Sequence, residues 1–182
     1  MVSYLAIILM LWAGWVQAAP HTQTTDDIEK FLQDKGVIAQ INQLKQNVGQ
    51  QASELIMNAM GFLGVPYKRG GSSENGFDCS GFVRSMYEQT VGLVLPRRAK
   101  EQAAVTDKIE KQELQPGDLV FFNTLKQTFS HVGIYIGNNQ FIHSPRQGGE
   151  VRVEDMRQAY WEKRFNGARR VNPENLKNAT QP

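Results

Sequence analysis

The sequence has little that would staple a scaffold through disulfides or metal. It has one cysteine, Cys79. A lone thiol excludes an internal disulfide, so packing alone must hold the fold. No C-x-x-C and no H-E-x-x-H occurs, which removes the usual zinc frameworks. There is no Lys/Arg block and no basic stripe interleaved with aromatics, and the net charge is only +2. Nucleic-acid binding is therefore not expected, and a weak attraction to an anionic polymer is all the charge supports. No internal repeat is visible. Residues 1–18 carry no charged side chain. The apolar run inside them, Tyr4 to Val16, falls short of the roughly 20 residues a spanning helix needs. Followed by "VQA", it reads as a signal peptide cleaved after Ala18, although no Lys or Arg precedes it. A retained anchor is the alternative. With cleavage, no stable membrane insertion is expected, and the compartment would be the periplasm or, alternatively, the medium. An odd thiol exported to an oxidising compartment is either reactive or a buried, inert small hydrophobe.

What is present begins with helical patterns. "TTDDIEKFLQDKG" reads as a short helix capped at Asp26 and closed at Gly36. Apolar spacings of three and four from Val37 to Met60 predict one or two further helices ending at Gly61 or Gly64. "VPYKRGGSSENGFD" is a loop, and "CSGFVRSMYEQT" a helix whose N-cap is Asp78. A turn and short helix follow in "LPRRAKEQAAV". Strands are expected in "LVFFN", "SHVGIYIG", "QFIHS" and "VRVED", then a short helix in "MRQAYWEKRF" and a return to the sheet in "GARRV". Helices first and then consecutive strands with hairpin links argue an α+β fold, with helices packed on a central antiparallel sheet. The expected divisions are a signal at 1–18, a polar helical extension at 19–50, a catalytic domain at 51–172 and a polar tail at 173–182. The extension is read as a spacer, a cover for the cleft or the binding segment for a protein regulator.

A helix N-terminus favours a thiolate through its unpaired N–H groups and its dipole, so Cys79 is the candidate nucleophile, with a depressed pKa expected. Its steps to Val83 and Met86 turn the sulfur toward the sheet. Gly81 permits close approach of another backbone or a substrate. A base is then needed, and the histidines are His21, His131 and His143. His21 lies near the expected new N-terminus. His131 and His143 flank one hairpin, and its register decides their relation. A two-residue loop at Asn138-Asn139 would put them on opposite faces. A three-residue loop, Gly137 to Asn139, would pair Gly133 with His143 and bring both rings to one face. Asn139 tolerates the left-handed conformation such a loop requires, which selects the second. If that face meets the helix N-terminus, His131 takes the thiol proton and His143 orients its ring. A histidine in that third role brings no fixed negative charge, so it orients more than it stabilises. Zinc held by Cys79, His131 and His143 is the competing reading.

"FDCSGFV", "LPR" with a following Gln, "PGDLVFF", "HVGIYIG" and "FIHS", in that order and spacing, resemble the NlpC/P60 cysteine peptidases of bacterial cell walls. The resemblance runs from about Ala52 to Val171, and includes the upstream "PYKRGG" and the closing "YWEKRFNGARRV". It implies a compact papain-like fold and cleavage of amide bonds in peptidoglycan stem peptides or crosslinks through a thioester. It implies Cys79 as nucleophile, His131 as base, His143 as orienting residue and Tyr67 close to the reacting carbonyl as an oxyanion contact. Asp78 and Ser80 would contact substrate, and Arg97 could hold a substrate carboxylate through a bidentate contact. Neither metal nor cofactor is expected. An amidase or acyltransferase using the same residues, and a non-catalytic wall-binding or partner-binding protein, are the other readings. Asp118 is read as turn chemistry, and Tyr160 and Trp161 as core.

Overall fold

The computed structural model describes residues 37–124 and 127–179. The expected signal peptide, the helix at "TTDDIEKFLQDKG" and His21 lie outside the described residues. The chain divides into two compact units, Met1–Gln43 and Leu44–Pro182, and the second holds the sheet and the candidate site.

Helix α1 (Val37–Met60) is one continuous element rather than two. Gly49 sits inside it and costs about 1 kcal/mol of helix propensity. Leu55 and Ala59, four apart, are buried in the core. A two-stranded ribbon follows, β1 (Ser72–Ser73) and β2 (Gly76–Phe77). Helix α2 (Cys79–Val91) starts at an Asp78 cap and stops at Gly92, whose φ of 71° supplies the left-handed residue that ends a helix. Helix α3 (Ala99–Ala104) leads into β3 (Asp107–Ile109). Then come β4 (Leu119–Phe122), β5 (His131–Gly137), β6 (Gln140–His143), β7 (Arg152–Asp155), helix α4 (Ala159–Glu162), β8 (Phe165–Arg170) and helix α5 (Pro173–Ala179).

The six-stranded sheet has the order β3-β8-β4-β5-β6-β7 and is antiparallel throughout. This is the α+β architecture expected. The returning strand β8 inserts between β3 and β4, a placement that no local pattern announces. Alternation along the strands divides the core in two. Leu119, Phe121, Val132, Ile134 and Ile142 face α2 and meet Phe82, Val83 and Met86. Val120, Phe122, Tyr135 and Phe141 face the other way and are covered by Met156 and Trp161. Two buried polar struts brace the strand junctions. Asp118 accepts from Gln115 N and from both Nε and Nη2 of Arg170, so the turn residue is also half of an ion pair. The Tyr87 hydroxyl donates to Gly117 O at 2.5 Å. The expected polar tail at 173–182 needs correction: α5 occupies its first part, and Leu176 is buried in the core on the α2 side of the sheet.

The β5–β6 hairpin reaches the expected register by a different route. Ile134 pairs with Ile142 and Tyr135 with Phe141, which sets Gly133 opposite His143. The loop, however, has two residues, because Gly137 pairs with Gln140. Asn138 and Asn139 both have positive φ, 52° and 60°, as a tight I′ turn requires. The register shift between Tyr135 and Gly137 supplies the extra residue as a bulge.

Candidate active site

The N-terminus of α2 is held by a polar cluster centred on Asp78. Asp78 Oδ1 accepts from Gly81 N at 2.7 Å, and its Oδ2 accepts from Gly70 N at 3.0 Å. Arg97 closes the cluster bidentately, Nη1 to Oδ1 at 3.0 Å and Nη2 to Oδ2 at 2.6 Å, while Nη1 also donates to Ser80 Oγ. Below it, Gln102 Nε2 donates to Ser80 O and Pro96 O. Asp78, Ser80 and Arg97 thus spend their polar atoms on one another. None of the three is among the residues lining the cleft that holds Cys79, and their hydrogen bonds anchor the start of the helix. Gly81 serves backbone approach: a Cβ there would lie 2.1 Å from Gly71 O. The glycine pair of "KRGG" and the helix start are therefore in contact.

Cys79 opens the helix and is partly exposed in a cleft of about 810 Å³, lined among others by Tyr67, His131, Glu154, Tyr160 and Trp161. Its sulfur is enclosed and faces the backbone N–H groups of Val132, Ser80 and Cys79 itself. The Val132 contact ties the sulfur to the first residues of β5, beside His131. The depressed thiol pKa is not what this position gives. Burial, reinforced by Asp78, pushes the Cys79 thiol up to about 11, against the pull of those N–H groups.

His131 and His143 share a face, with ring centroids 4.9 Å apart and planes at 88°. That face is the one carrying Phe122, Phe141 and Trp161, turned away from α2. The helix does not lie against the histidines. Its N-terminus reaches the end of β5, where the strand begins at His131. His131 Nε2 lies 2.7 Å from His143 Nδ1. Gly133 makes this possible, since a Cβ there would meet Phe141 Cδ2 at 2.7 Å and His143 Cβ at 3.1 Å. Burial lowers both histidines, His131 well below its usual value with His143 adding to the effect.

Behind His143 stands a residue the sequence reading did not single out. Glu154, on β7, places Oε1 3.8 Å from His143 Nε2. The carboxylate also takes the Trp161 indole N–H and pairs with Arg152. Burial opposes its charge, but His143, Trp161 and Arg152 outweigh it and hold Glu154 down at about 2. The β6–β7 pairing sets His143 opposite Arg152 and Phe141 opposite Glu154, so Glu154 is a diagonal neighbour of His143 on one face. Alternation in "VRVED" carried half of that signal. The strand pairing carried the rest. Tyr67 lines the cleft as expected, and burial, followed by Cys79 and Asp78, raises its phenol pKa, which keeps it a hydrogen-bond donor. Trp161 is core, but Tyr160 is half exposed on the cleft wall. Among the described residues no cluster of His, Cys, Asp and Glu could hold a metal ion, and no helix is long and apolar enough to cross a membrane.

The site thus joins a thiol at a capped helix start to histidines on two neighbouring strands. The model of the NlpC/P60 family matches residues 64–170. The chain belongs to the NlpC/P60 family. It is 46% identical over 127 residues to the murein DD-endopeptidase MepH of Escherichia coli K12, covering 67% of this chain and 47% of that one. It is 46% identical over 108 residues to the E. coli K12 murein DD-endopeptidase MepS/murein LD-carboxypeptidase, covering 59% and 56%. An NlpC/P60 crystal structure from Bacillus cereus superposes with a TM-score of 0.61 at 38% identity, covering 65% of this chain and 39% of that chain. The chain thus spans about half the length of the curated relatives it matches. The NlpC/P60 match begins at Gly64, so α1 precedes it although Leu55 and Ala59 belong to the core.

Proposed function

We propose that this NlpC/P60 protein is an exported thiol endopeptidase that hydrolyses amide bonds in peptidoglycan stem peptides or crosslinks in the periplasm. The observation that carries the reading is that His131, which lines the cleft holding Cys79, has its Nε2 2.7 Å from Nδ1 of the buried His143. With Nε2 engaged there, Nδ1 of His131 is the nitrogen left to take a proton. The Cys79 S–H proton passes to Nδ1 as the sulfur attacks the scissile carbonyl. The resulting oxyanion is met by the Cys79 backbone N–H at the helix start and by the Tyr67 hydroxyl. Collapse breaks the C–N bond, and His131 returns the proton to the leaving amine. Water then attacks the thioester with His131 as base, which releases the acid product and restores the thiol. Burial favours the neutral thiol and the neutral imidazole alike, so charge develops as the proton moves between them and not before. Arg69 and Arg146 also line the cleft and give it a cationic rim suited to the carboxylates of stem peptides. The DD-endopeptidase names of the E. coli relatives favour the crosslink as the bond cut.

The test is a digest of purified, hydrolase-free sacculi by the mature protein, with Cys79→Ala as control, read by mass spectrometry. New stem-peptide termini from the wild type alone are expected, and their masses name the bond. Equal release by both proteins, or by neither, would refute the peptidase reading.

A further inference from the structure

We propose that Glu154 is a positioning residue that completes a four-member relay, Cys79–His131–His143–Glu154, by fixing the proton direction along it and by supplying the counter-charge that His143 lacks. The inference rests on the peptidase reading for its kinetic meaning, but its geometry stands apart from it.

The argument starts from donors and acceptors. A carboxylate can only accept. The buried His143 Nε2 has no hydrogen-bond partner, and Glu154 Oε1 stands 3.8 Å from it. That is beyond hydrogen-bond length yet within ion-pair range. A bare lone pair on Nε2 would face a negative oxygen, whereas an N–H faces it favourably. His143 is therefore the Nε2–H tautomer, and its Nδ1 is an acceptor. The 2.7 Å contact then requires a proton on His131 Nε2. With Nε2 protonated, the neutral His131 ring carries its lone pair on Nδ1, the atom the thiol proton needs. One carboxylate thus sets two tautomers at a distance.

The same carboxylate answers the energetic difficulty of the site. Both histidines are enclosed, His131 at 3% and His143 at 0% exposure, and a buried imidazolium is costly without a counter-charge. The charged or titratable groups facing His143 among the described residues are His131 from β5 and Arg152 and Glu154 from β7. The Trp161 indole approaches from α4. Arg152 works against a cation at His143, but its side chain is 46% exposed and screened by water, while that of Glu154 is 14% exposed. Burial dominates at His143 and lowers it, Glu154 opposes that loss, and Arg152 follows as the weaker influence. The grip on Glu154 is firm, since the Trp161 indole holds one oxygen and Arg152 the other. As His131 becomes cationic and draws on His143 Nδ1, the His143 N–H gains positive character and the Glu154 contact tightens.

The experiment compares wild type with Glu154→Gln and Glu154→Asp in the full chain, by 15N NMR of the histidine rings across pH and by kcat/KM on a soluble crosslinked muropeptide. Wild-type His143 is expected as the Nε2–H tautomer. Glu154→Gln should lower the pH at which the histidine pair loses its proton by about one unit or more. It should reduce kcat by about tenfold or more with KM within about twofold. Glu154→Asp, which keeps the charge, should recover most of both. A wild-type His143 in the Nδ1–H tautomer would overturn the proposal without any variant. So would a folded Glu154→Gln enzyme with unchanged kcat and an unchanged pH limb. If the wild type cleaves nothing, the peptidase reading fails, while the tautomer and the histidine titration still decide the role of Glu154.

Discussion

The N-terminus of α2 and the strands β5, β6 and β7 treat their polar atoms differently. At the helix end the Asp78 carboxylate is fully engaged, although Gln102 Oε1 beneath it is buried without a partner. Asp78 is filled by Gly70, Gly81 and both terminal nitrogens of Arg97. The strand side holds a polar atom in reserve, with His143 Nε2 buried and unbonded beside a carboxylate. A saturated cluster rigidifies, because each member lost leaves another unpaired. A chain of imidazoles with one slack contact can move a proton with little rearrangement. The helix end is thus braced, while the strand side keeps an unbonded nitrogen beside a carboxylate.

The comparison breaks most completely at the reacting atoms. Cys79→Ala and His131→Ala are each expected to lower kcat by roughly 10⁴-fold or more in the sacculus digest, with little change in melting temperature. The thiol itself sharpens the point. In the wild type, alkylation of Cys79 by iodoacetamide should be slow at neutral pH and rise toward pH about 11, as a buried thiol requires. The next effect falls on packing. Gly133→Ala must push aside Phe141, Ile142 O and His143, at a cost of about 1–3 kcal/mol by urea denaturation, and should disturb the His131–His143 contact before it unfolds the chain. At the helix end, Asp78→Ala removes the cap and strands Arg97, and a loss of about 2 kcal/mol is expected. Arg97→Ala is the smallest step, about 1 kcal/mol of stability with KM unchanged; a large rise in KM would return Arg97 to the role of a substrate contact.

The strand side should also respond to acid in two steps. Burial lowers His131 and His143, so the unfolded chain binds protons more readily, and stability should fall as pH drops below 6.5. Glu154 is depressed from 4.5 to about 2, so its contribution is complete above 4.5 and is lost as pH falls toward about 2. Urea midpoints across this range, in wild type and Glu154→Gln, separate the two steps.

Much of this was legible in local pattern. The capped helix opening on Cys79, the strands from Leu119 to Asp155 and the shared face of the two histidines all follow from periods of 3.6 and 2.0 and from turn chemistry. Three points were not. The register of His143 was right, but the loop was wrong, because a bulge at Ile136 cannot be told from a longer turn by counting residues. That Arg97, Asp78 and Ser80 bond to one another was hidden, because a sequence shows which groups are polar and not which are already engaged. Glu154 was passed over because its partner lies eleven residues away across a strand pairing.

By itself, the sequence determined the elements, their order, the lone thiol at a helix start and the histidines that flank one hairpin, since each depends on residues within a turn or two of one another. Only the tertiary structure decided which face of the sheet the histidines occupy, how the helix end meets the strand end, and that a carboxylate stands behind them. Those depend on which strands become neighbours and in what register, and that is set by the burial of two opposed hydrophobic faces at once.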